Sequence, residues 1–223
     1  MNNHPPYENT TDKPAAAAVF GCVIAGGKSQ RMNGSDKPFM TRENSLLIDI
    51  ALNHLCKADI TTCAISSSSK LKSRFEEFLK TRSSNISEID VLEDEPQFTN
   101  KGPLAGLFTA LRWAYKINPH SLVYTCPVDT PLLSTEIPAR LLNSFYQNNC
   151  DCVIAAQGDK LHPIIGVWQS SSYKTLAAFL NTSQKYSFHA WLSHIDSNVV
   201  DFSFLDPSTF LNINTPSDLL DPI

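Results

Sequence analysis

The sequence predicts a single three-layer α/β/α domain with a mainly parallel, mixed sheet. Two observations support this. From residue 17 onward, short apolar and β-branched runs alternate with helix-like stretches, and the first of these runs, residues 19–25, leads into a glycine turn. Such alternation is typical of βαβ units, whose crossovers make neighbouring strands parallel. At 223 residues and 42% hydrophobic composition, the chain can bury the core of one such domain.

The elements can be followed in order through the first half of the chain, which we expect to be Rossmann-like. Its strand-like runs are VFGCVIA, ITTCAIS, ISEIDVLE and SLVYTCPVD, and its helix-like runs are SLLIDIALNHLC, KSRFEEFLK and LAGLFTALRWAYK. In SLLIDIALNHLC the apolar residues recur at helical spacing, so one face of this helix should pack on the sheet. From CDCVIAAQ onward the order is less regular, and a mixed sheet is expected there.

The boundaries of the domain follow from composition. Residues 1–16 are expected to form a disordered tail, because they are largely polar and lack a hydrophobic period, and residues 17–223 are expected to form the domain. The run AAAAVFGCVIA has the length of a signal-peptide core, but acidic residues precede it and GGKSQR follows in place of a cleavage site. We therefore expect a cytoplasmic protein whose six cysteines are reduced.

Charge and motif spacing exclude several functional classes. The net charge of −4 provides no global basic field for nucleic acid or an anionic membrane, and no run approaches the length of a spanning helix. His189 and His194 are five residues apart rather than four, and Cys150 and Cys152 lack a partner pair, so no metal cluster is predicted. An anionic ligand must therefore be held by a local site.

The first strand leads into two glycines that are followed by three cationic residues. Gly26 and Gly27 can adopt backbone angles that other residues avoid, so the main chain can approach a ligand closely. Because parallel strands present ligands at their carboxyl ends, the turn with Lys28, Arg31 and Lys37 is a candidate phosphate site. From these residues alone, a tight turn with solvated charges is equally consistent.

Two common nucleotide-binding motifs are excluded. In a Walker A loop four residues separate the two glycines, whereas five residues separate Gly21 from Gly27 here, and that loop would also consume part of the strand. No GxGxxG follows the first strand, which argues against a dinucleotide-dependent oxidoreductase.

The loop IAGGKSQRMNGSDKP resembles the signature loop L-A-G-G-x-S-x-R-M-G-x-x-D-K of the molybdenum cofactor guanylyltransferases, the MobA family of nucleotidyltransferases. Ile24 replaces the leucine and Asn33 replaces a glycine, and neither change removes a charge. The resemblance implies a nucleotide-diphospho-sugar-transferase-like fold with Arg31 and Lys37 as catalytic residues. It also implies that this loop binds the nucleotide through Ile24, Ala25, Gly26, Gly27 and Lys37.

A second block, GPLAG at residues 102–106, opens a predicted helix. Pro103 is accepted at a helix start, and the glycines permit close approach of a flat base, although the block could be only a helix entry. In the resembled family the same block contributes to the nucleotide pocket, which implies nucleotide contacts at Gly102 and, upstream, at Asp94. A family asparagine falls within SSSS at residues 66–69, which leaves that contact unassigned.

Asp129 follows the hydrophobic run SLVYTCPV and stands at the expected carboxyl end of a strand. A carboxylate beside a triphosphate suits Mg²⁺, which prefers oxygen ligands and takes most of them from phosphate and water. Capping the next helix is the alternative, but Ser134 is itself a good cap. The resemblance strengthens the metal role, and it implies that Asp129 is catalytic and contacts the nucleotide.

The C-terminal string FLNINTPSDLL places Asn212 and Asn214 on one face of an expected strand. Two such amides could simply satisfy buried backbone groups. The string is nevertheless similar to the C-terminal signature of the resembled family, and GDKLHPIIGVW resembles its H-P segment. This implies that His162, Asn212 and Asn214 face the acceptor, while a structural role for His162 stays open.

The resemblance implies transfer of GMP from GTP to the terminal phosphate of Mo-molybdopterin, with Mg²⁺ as cofactor and pyrophosphate as product. Transient contacts with enzymes that insert or use the molybdenum cofactor are implied as well. Two alternatives stay open: a cytidylyltransferase acting on molybdopterin or on a sugar or polyol phosphate, and a noncatalytic nucleotide or cofactor binder. The paired glycines, GPLAG and NINTP favour guanine, and retention of both Lys37 and Asp129 argues against a noncatalytic binder.

Overall fold

A computed structural model describes residues 17–26, 36–82, 86, 88–215 and 217–219. A seven-stranded sheet lies at its centre, with helices packed on both faces, which confirms the predicted three-layer α/β/α architecture. In these ranges no helix is long and apolar enough to cross a membrane. The expected tail lies outside them, so the tail and the domain boundary stay predictions.

The strands and helices follow the predicted alternation closely. The strands are β1 (Val19–Ile24), β2 (Thr41–Arg42), β3 (Ser45–Leu46), β4 (Thr62–Ser67), β5 (Glu88–Glu93), β6 (Leu122–Pro127), β7 (Cys152–Gln157), β8 (Lys160–Gln169) and β9 (Ser197–Asp201). The helices are α1 (Leu47–Lys57), α2 (Ser69–Thr81), α3 (Pro103–Ile117), α4 (Glu136–Gln147), α5 (Tyr173–Thr182) and α6 (Phe188–Leu192). One boundary differs from the expectation, because the first two residues of SLLIDIALNHLC pair in the small β2–β3 hairpin before α1 begins.

The main sheet has the strand order β5-β4-β1-β6-β8-β7-β9. The pairs β4–β5, β1–β4, β1–β6 and β7–β9 are parallel, while β8 runs antiparallel to both of its neighbours. The four strands on the β5 side therefore form the expected Rossmann-like half, and β8 makes the sheet mixed, as predicted.

The two faces of the sheet carry separate hydrophobic cores. Side chains alternate along β1, so Val23 packs with α1, α2 and α4, whereas Cys22 and Ile24 pack with α3, α5 and α6. All six cysteine side chains are free, and five of them are buried, where they behave as small hydrophobic residues.

A β-bulge marks the start of β8. The register with β7 shifts between Ile154 and Ala155, so that Ile154 pairs with Gly166 and Ala155 pairs with His162. The unpaired stretch begins at Pro163, which has no N–H to donate to a ladder. The bulge allows the strand to continue past Pro163 and carries His162 to the end of the sheet where β6 finishes.

The register of the parallel strands gathers the ends of several loops at one edge of the sheet. Ile24 pairs with Ser66 on one side and with Pro127 on the other, and Ser67 pairs with Glu93. The residues that follow β1, β4, β5 and β6 therefore emerge side by side, as they do at the ligand-binding edge of open α/β sheets.

A buried histidine links α1 to the sheet. His54 Nε2 lies 2.9 Å from the Tyr124 hydroxyl, and burial lowers the pKa of His54 from 6.5 to about 4. Between pH 6.5 and about pH 4, His54 is therefore protonated in the unfolded chain and neutral in the folded chain.

We expect the free energy of unfolding to decrease as the pH falls from 6.5 toward 4, and His54 to contribute up to roughly 3 kcal/mol of that decrease. In the variant His54→Gln the free energy of unfolding should depend less steeply on pH. Urea unfolding at several pH values across this range would measure the dependence. Asp94 and His162 also titrate there, and because both are present in the two proteins, their effects cancel in the comparison. Identical slopes for the two proteins would contradict the assignment.

Candidate functional site

A lysine and an aspartate from distant parts of the chain meet at the carboxyl edge of the sheet. Lys37 Nζ lies 2.7 Å from Asp129 Oδ2. Lys37 begins a short 3-10 turn, Lys37–Phe39, and Asp129 follows the end of β6. Their side chains are 16% and 21% exposed, so the pair is shielded on most sides yet remains accessible to a ligand.

Asp129 is free for such a role because another residue caps the following helix. The Ser134 hydroxyl accepts a hydrogen bond from Glu136 N at 3.4 Å, and the Ser134 carbonyl accepts one from Ile137 N at 3.2 Å. Among the described residues, no contact supports the alternative in which Asp129 caps this helix.

The C-terminal segment closes over the same pair. Ile213 N donates to the Asp129 carbonyl at 2.8 Å, and the Thr130 hydroxyl donates to Asn212 Oδ1 at 2.8 Å. Lys37 Nζ also donates to Asn214 Oδ1 at 3.4 Å. The structure thus brings together Lys37, Asp129, Asn212 and Asn214. The resemblance had implied catalytic roles for the first two residues and an acceptor-side role for the two asparagines.

The expectation that Asn212 and Asn214 lie on a strand is wrong. Residues 211–214 have no strand assignment. The physical reason is that this segment bonds to the carbonyl of Asp129, beyond the end of β6, where no ladder continues. The two amides nevertheless reach the site, each through a separate side-chain contact.

Asp218 fixes the backbone of this segment, a role that sequence reasoning missed. Its carboxylate accepts hydrogen bonds from Thr215 Oγ1 at 2.7 Å, Asn214 N at 2.7 Å and Thr215 N at 2.9 Å. These bonds, led by the one from the Thr215 side chain, lower the pKa of Asp218. The buried Arg42 donates to the Asp218 carbonyl at 3.4 Å. The spacing Thr-Pro-Ser-Asp was the signal that could have indicated a cap.

A second cluster lies at the ends of β1, β4 and β5. The Ser66 hydroxyl donates to Asp94 Oδ1 at 3.2 Å, and a Cβ built on Gly26 would lie 3.6 Å from Asp94 Oδ2. Burial raises the pKa of Asp94 from 3.8 to about 6. Sequence reasoning placed Asp94 and Gly26 in the nucleotide site but left the SSSS stretch without a role.

Helix α3 enters beside this cluster. Gly102 precedes the helix with a φ of 65°, a left-handed conformation that favours glycine, and Pro103 occupies the first turn. One turn further on, a Cβ on Gly106 would lie 2.8 Å from Ser66 Oγ, so the absent side chain allows α3 to approach β4 closely. GPLAG is therefore a helix entry, as its residues indicated, and its last residue, Gly106, packs on Ser66, the partner of Asp94.

Ile24 ends the first strand and Ala25 follows it, and both are buried in the core. Their exposed fractions are 5% and 6%. The Ile24 carbonyl accepts from Val128 N at 3.2 Å, and Ala25 N donates to the Ser66 carbonyl at 2.9 Å. These two residues thus tie the glycine turn to both neighbouring loops, and a ligand contact from them would come from the backbone.

The ring contact of His162 is with Phe210 and not with Lys37 or Asp129. The two ring centroids lie 4.5 Å apart. Burial lowers the pKa of His162 from 6.5 to about 4, so the ring is neutral near neutral pH. The position at the start of β8 is compatible with an acceptor-side role, which remains a prediction.

Part of the predicted loop lies outside the described residues. Gly27, Lys28 and Arg31 fall in residues 27–35, outside the described part of the chain, and their roles stay predictions. Within the described ranges, no group of three or more His, Cys, Asp or Glu side chains could hold a metal ion. The oxygens of Asp129 and Asn214 near Lys37 are hard donors, a set that fits Mg²⁺ completed by phosphate and water oxygens.

Comparison with known proteins agrees with this architecture. Residues 21–197 match the family model described as MobA-like NTP transferase domain. The chain is 31% identical over 211 residues to a molybdenum cofactor guanylyltransferase of Cereibacter sphaeroides, covering 90% of this chain and 93% of the relative. It is 28% identical over 220 residues to a protein of the same name from Brucella ovis, and the match covers 93% of this chain and 92% of that relative.

Solved structures show the same fold. The molybdopterin-guanine dinucleotide biosynthesis protein A from Archaeoglobus fulgidus superposes with a TM-score of 0.66 at 17% identity, covering 90% of this chain and 95% of that chain. The 4-diphosphocytidyl-2C-methyl-D-erythritolsynthase from Anaerococcus prevotii superposes with a TM-score of 0.67 at 16% identity, covering 92% of this chain and 94% of that chain. At these identities the likeness concerns the fold alone.

The variant Asp218→Ala should accelerate hydrogen exchange at the amides of Asn214 and Thr215, because both lose their carboxylate acceptor. NMR exchange rates would measure this. Asp206→Ala is the matched control, since Asp206 also accepts from a backbone amide in a turn, that of Ser208 at 2.8 Å. Unchanged exchange at Asn214 and Thr215 in the Asp218 variant would show that the carboxylate does not fix this segment.

Proposed function

Because the chain belongs to the MobA-like NTP transferase domain family, we propose that it is a molybdenum cofactor guanylyltransferase. It transfers GMP from GTP to the terminal phosphate of Mo-molybdopterin and releases pyrophosphate. The observation that carries the proposal is the 2.7 Å contact between Lys37 and Asp129 at the carboxyl edge of the sheet. Relatives bearing that name and matching over most of this chain support the choice of substrates.

Asp94 is the residue that selects the base in this proposal. Guanine presents two adjacent donors, N1–H and the exocyclic amino group, and a carboxylate can accept from both. Cytosine presents a single donor group, its exocyclic amino group, next to the N3 acceptor, so a carboxylate can accept from the amino group but is repelled by N3. The Asp94 carboxylate lies beside the Gly26 turn, and the Ser66 hydroxyl that donates to it contacts Gly106 of α3; an acceptor at this place supports a base with paired donors.

Lys37 and Asp129 act on the phosphates. Asp129 would hold Mg²⁺, which takes its remaining ligands from phosphate and water. Asn214 accepts a hydrogen bond from Lys37 and can orient it. When bound, Mg²⁺ neutralises negative charge on the triphosphate. Lys37 contacts a phosphate oxygen, and Arg31 with the amides of the glycine turn adds further donors to the triphosphate, in line with the loop pattern.

The reaction needs no covalent participation of the protein. An oxygen of the terminal phosphate of Mo-molybdopterin attacks the α-phosphorus of GTP, and the bond from that phosphorus to the bridging oxygen of pyrophosphate breaks. The residues contribute positioning and charge stabilisation. We assign the acceptor side to His162, Asn212 and Asn214, as the resemblance implies. The six free thiols are consistent with a cytoplasmic location.

Replacing Lys37 with alanine should lower the rate of pyrophosphate release by roughly 10²- to 10³-fold, because a donor to the transition-state charge is lost. The assay contains GTP, Mg²⁺ and Mo-molybdopterin. Lys80→Ala is the control, since Lys80 is an exposed lysine in the last turn of α2. Full turnover by the Lys37 variant would remove this residue from the mechanism.

The wild-type protein should use GTP in preference to CTP and ATP, and Asp94→Asn should reduce the ratio of GTP to CTP turnover by roughly 10- to 100-fold, because the amide offers a donor where the base needs an acceptor. Competition assays with equal nucleotide concentrations would measure the ratio. Preference for CTP in the wild-type protein would instead identify a cytidylyltransferase. Binding without turnover of any nucleotide would indicate a noncatalytic binder.

A further inference from the structure

We propose, on the basis of the function proposed above, that Ser66 is a positioning residue for base recognition: its hydroxyl holds Asp94 so that the carboxylate faces the guanine base. Nothing in the sequence pattern marks Ser66 among its serine neighbours. The role follows from where the fold places its hydroxyl.

The hydrogen bond fixes the orientation of the carboxylate. Ser66 Oγ donates to Asp94 Oδ1 at 3.2 Å, and Oδ2 faces the Gly26 turn, where a Cβ would lie 3.6 Å away. Asp94 N is itself held by the Ser67 carbonyl at 3.2 Å, so both the main chain and the side chain of Asp94 are tied to the end of β4. Each carboxylate oxygen can accept two hydrogen bonds, so Oδ1 can accept from Ser66 and from a base donor together.

The hydroxyl of Ser66 has little freedom to leave this position. Ser66 is fully buried, and Gly106 of α3 packs against it so closely that an added Cβ would lie 2.8 Å from Ser66 Oγ. The next serine provides a contrast. Ser67 is equally buried, but its hydroxyl donates to the Ser68 carbonyl at 3.3 Å and not to Asp94. Replacing either serine with alanine therefore removes one buried hydroxyl group. Only the Ser66 replacement removes a hydrogen bond to Asp94.

The charged state of Asp94 reports on this contact. Burial raises the pKa of Asp94 to about 6, the hydrogen bond from Ser66 opposes that rise, and the neighbouring Glu93 adds to it. Glu93 Oε2 is itself 3.9 Å from Lys72 Nζ, and Glu95 is paired with Arg112. The buried Cys22 thiol of β1 also interacts electrostatically with Asp94; burial raises the pKa of this thiol, and Asp94 adds to the rise. Loss of the Ser66 hydroxyl should raise the pKa of Asp94 further.

The first test uses the protein without nucleotide. The pKa of Asp94 is measured from its carboxyl ¹³C chemical shift in the wild-type protein, Ser66→Ala and Ser67→Ala. We expect a rise of about one unit in Ser66→Ala and no change in Ser67→Ala. Gly106→Ala is a second variant that displaces the hydroxyl without deleting it, and it should shift the pKa in the same direction. An unchanged pKa in both variants would overturn the proposal.

The second test measures base recognition by calorimetry with GTP and with ITP, which lacks the exocyclic amino group. The wild-type protein should prefer GTP, and Ser66→Ala should reduce that preference roughly fivefold while Ser67→Ala retains it. In Ser66→Ala, GTP binding should also weaken at a higher pH than in the wild-type protein, because Asp94 is protonated earlier. A merely structural serine would leave both the preference and this pH midpoint unchanged.

The two tests separate the failure of this inference from the failure of the proposed function. Absence of GTP binding by the wild-type protein would overturn the proposed function and the role of Ser66 with it. GTP binding by the wild-type protein with an unaltered GTP-to-ITP preference in Ser66→Ala would overturn the role of Ser66 alone.

Discussion

The parallel pairing of β1 with β6 is the constraint on which the rest of this structure depends. In that register Ile24 lies opposite Pro127, so the turn after the first strand and the loop carrying Asp129 leave the sheet side by side. Lys37 can therefore reach Asp129 across 92 positions of sequence. The strand pairing positions the Asp129 side of the contact, and Lys37 lies in the turn Lys37–Phe39, next to Met40, whose carbonyl accepts from Leu47 N of α1 at 2.9 Å.

Strand β1 also separates two environments that differ in electrostatics. On the β6 side, Lys37, Asp129 and Asn214 form a partly exposed charged cluster suited to phosphates and a hard cation. On the β4 side, burial raises the pKa of Asp94 to about 6, and its partner Ser66 is neutral. A ligand with a triphosphate at one end and a base with hydrogen-bond donors at the other matches this division.

The second half of the sheet supports the site differently. The antiparallel strand β8 begins where β6 ends, and its bulge brings His162 against Phe210 at this edge. The segment after Phe210 then returns to Asp129 through Ile213 N. Residues far apart in the chain are thus joined by ring packing and by backbone bonds at the edge that carries Asp129.

Local features of the sequence determined the order of strands and helices, the glycine turn, the GPLAG helix entry and the position of Asp129 at a strand end, because periodicity, glycine and proline act over a few residues. Family resemblance added the catalytic roles of Lys37 and Asp129 and the acceptor-side role of Asn214. Only the tertiary structure decided that Asn214 reaches Lys37 from an irregular segment, that Asp218 fixes it, and that Ser66 among four consecutive serines holds Asp94. These contacts join groups up to 177 positions apart, and they depend on strand register and helix packing, which no local pattern encodes.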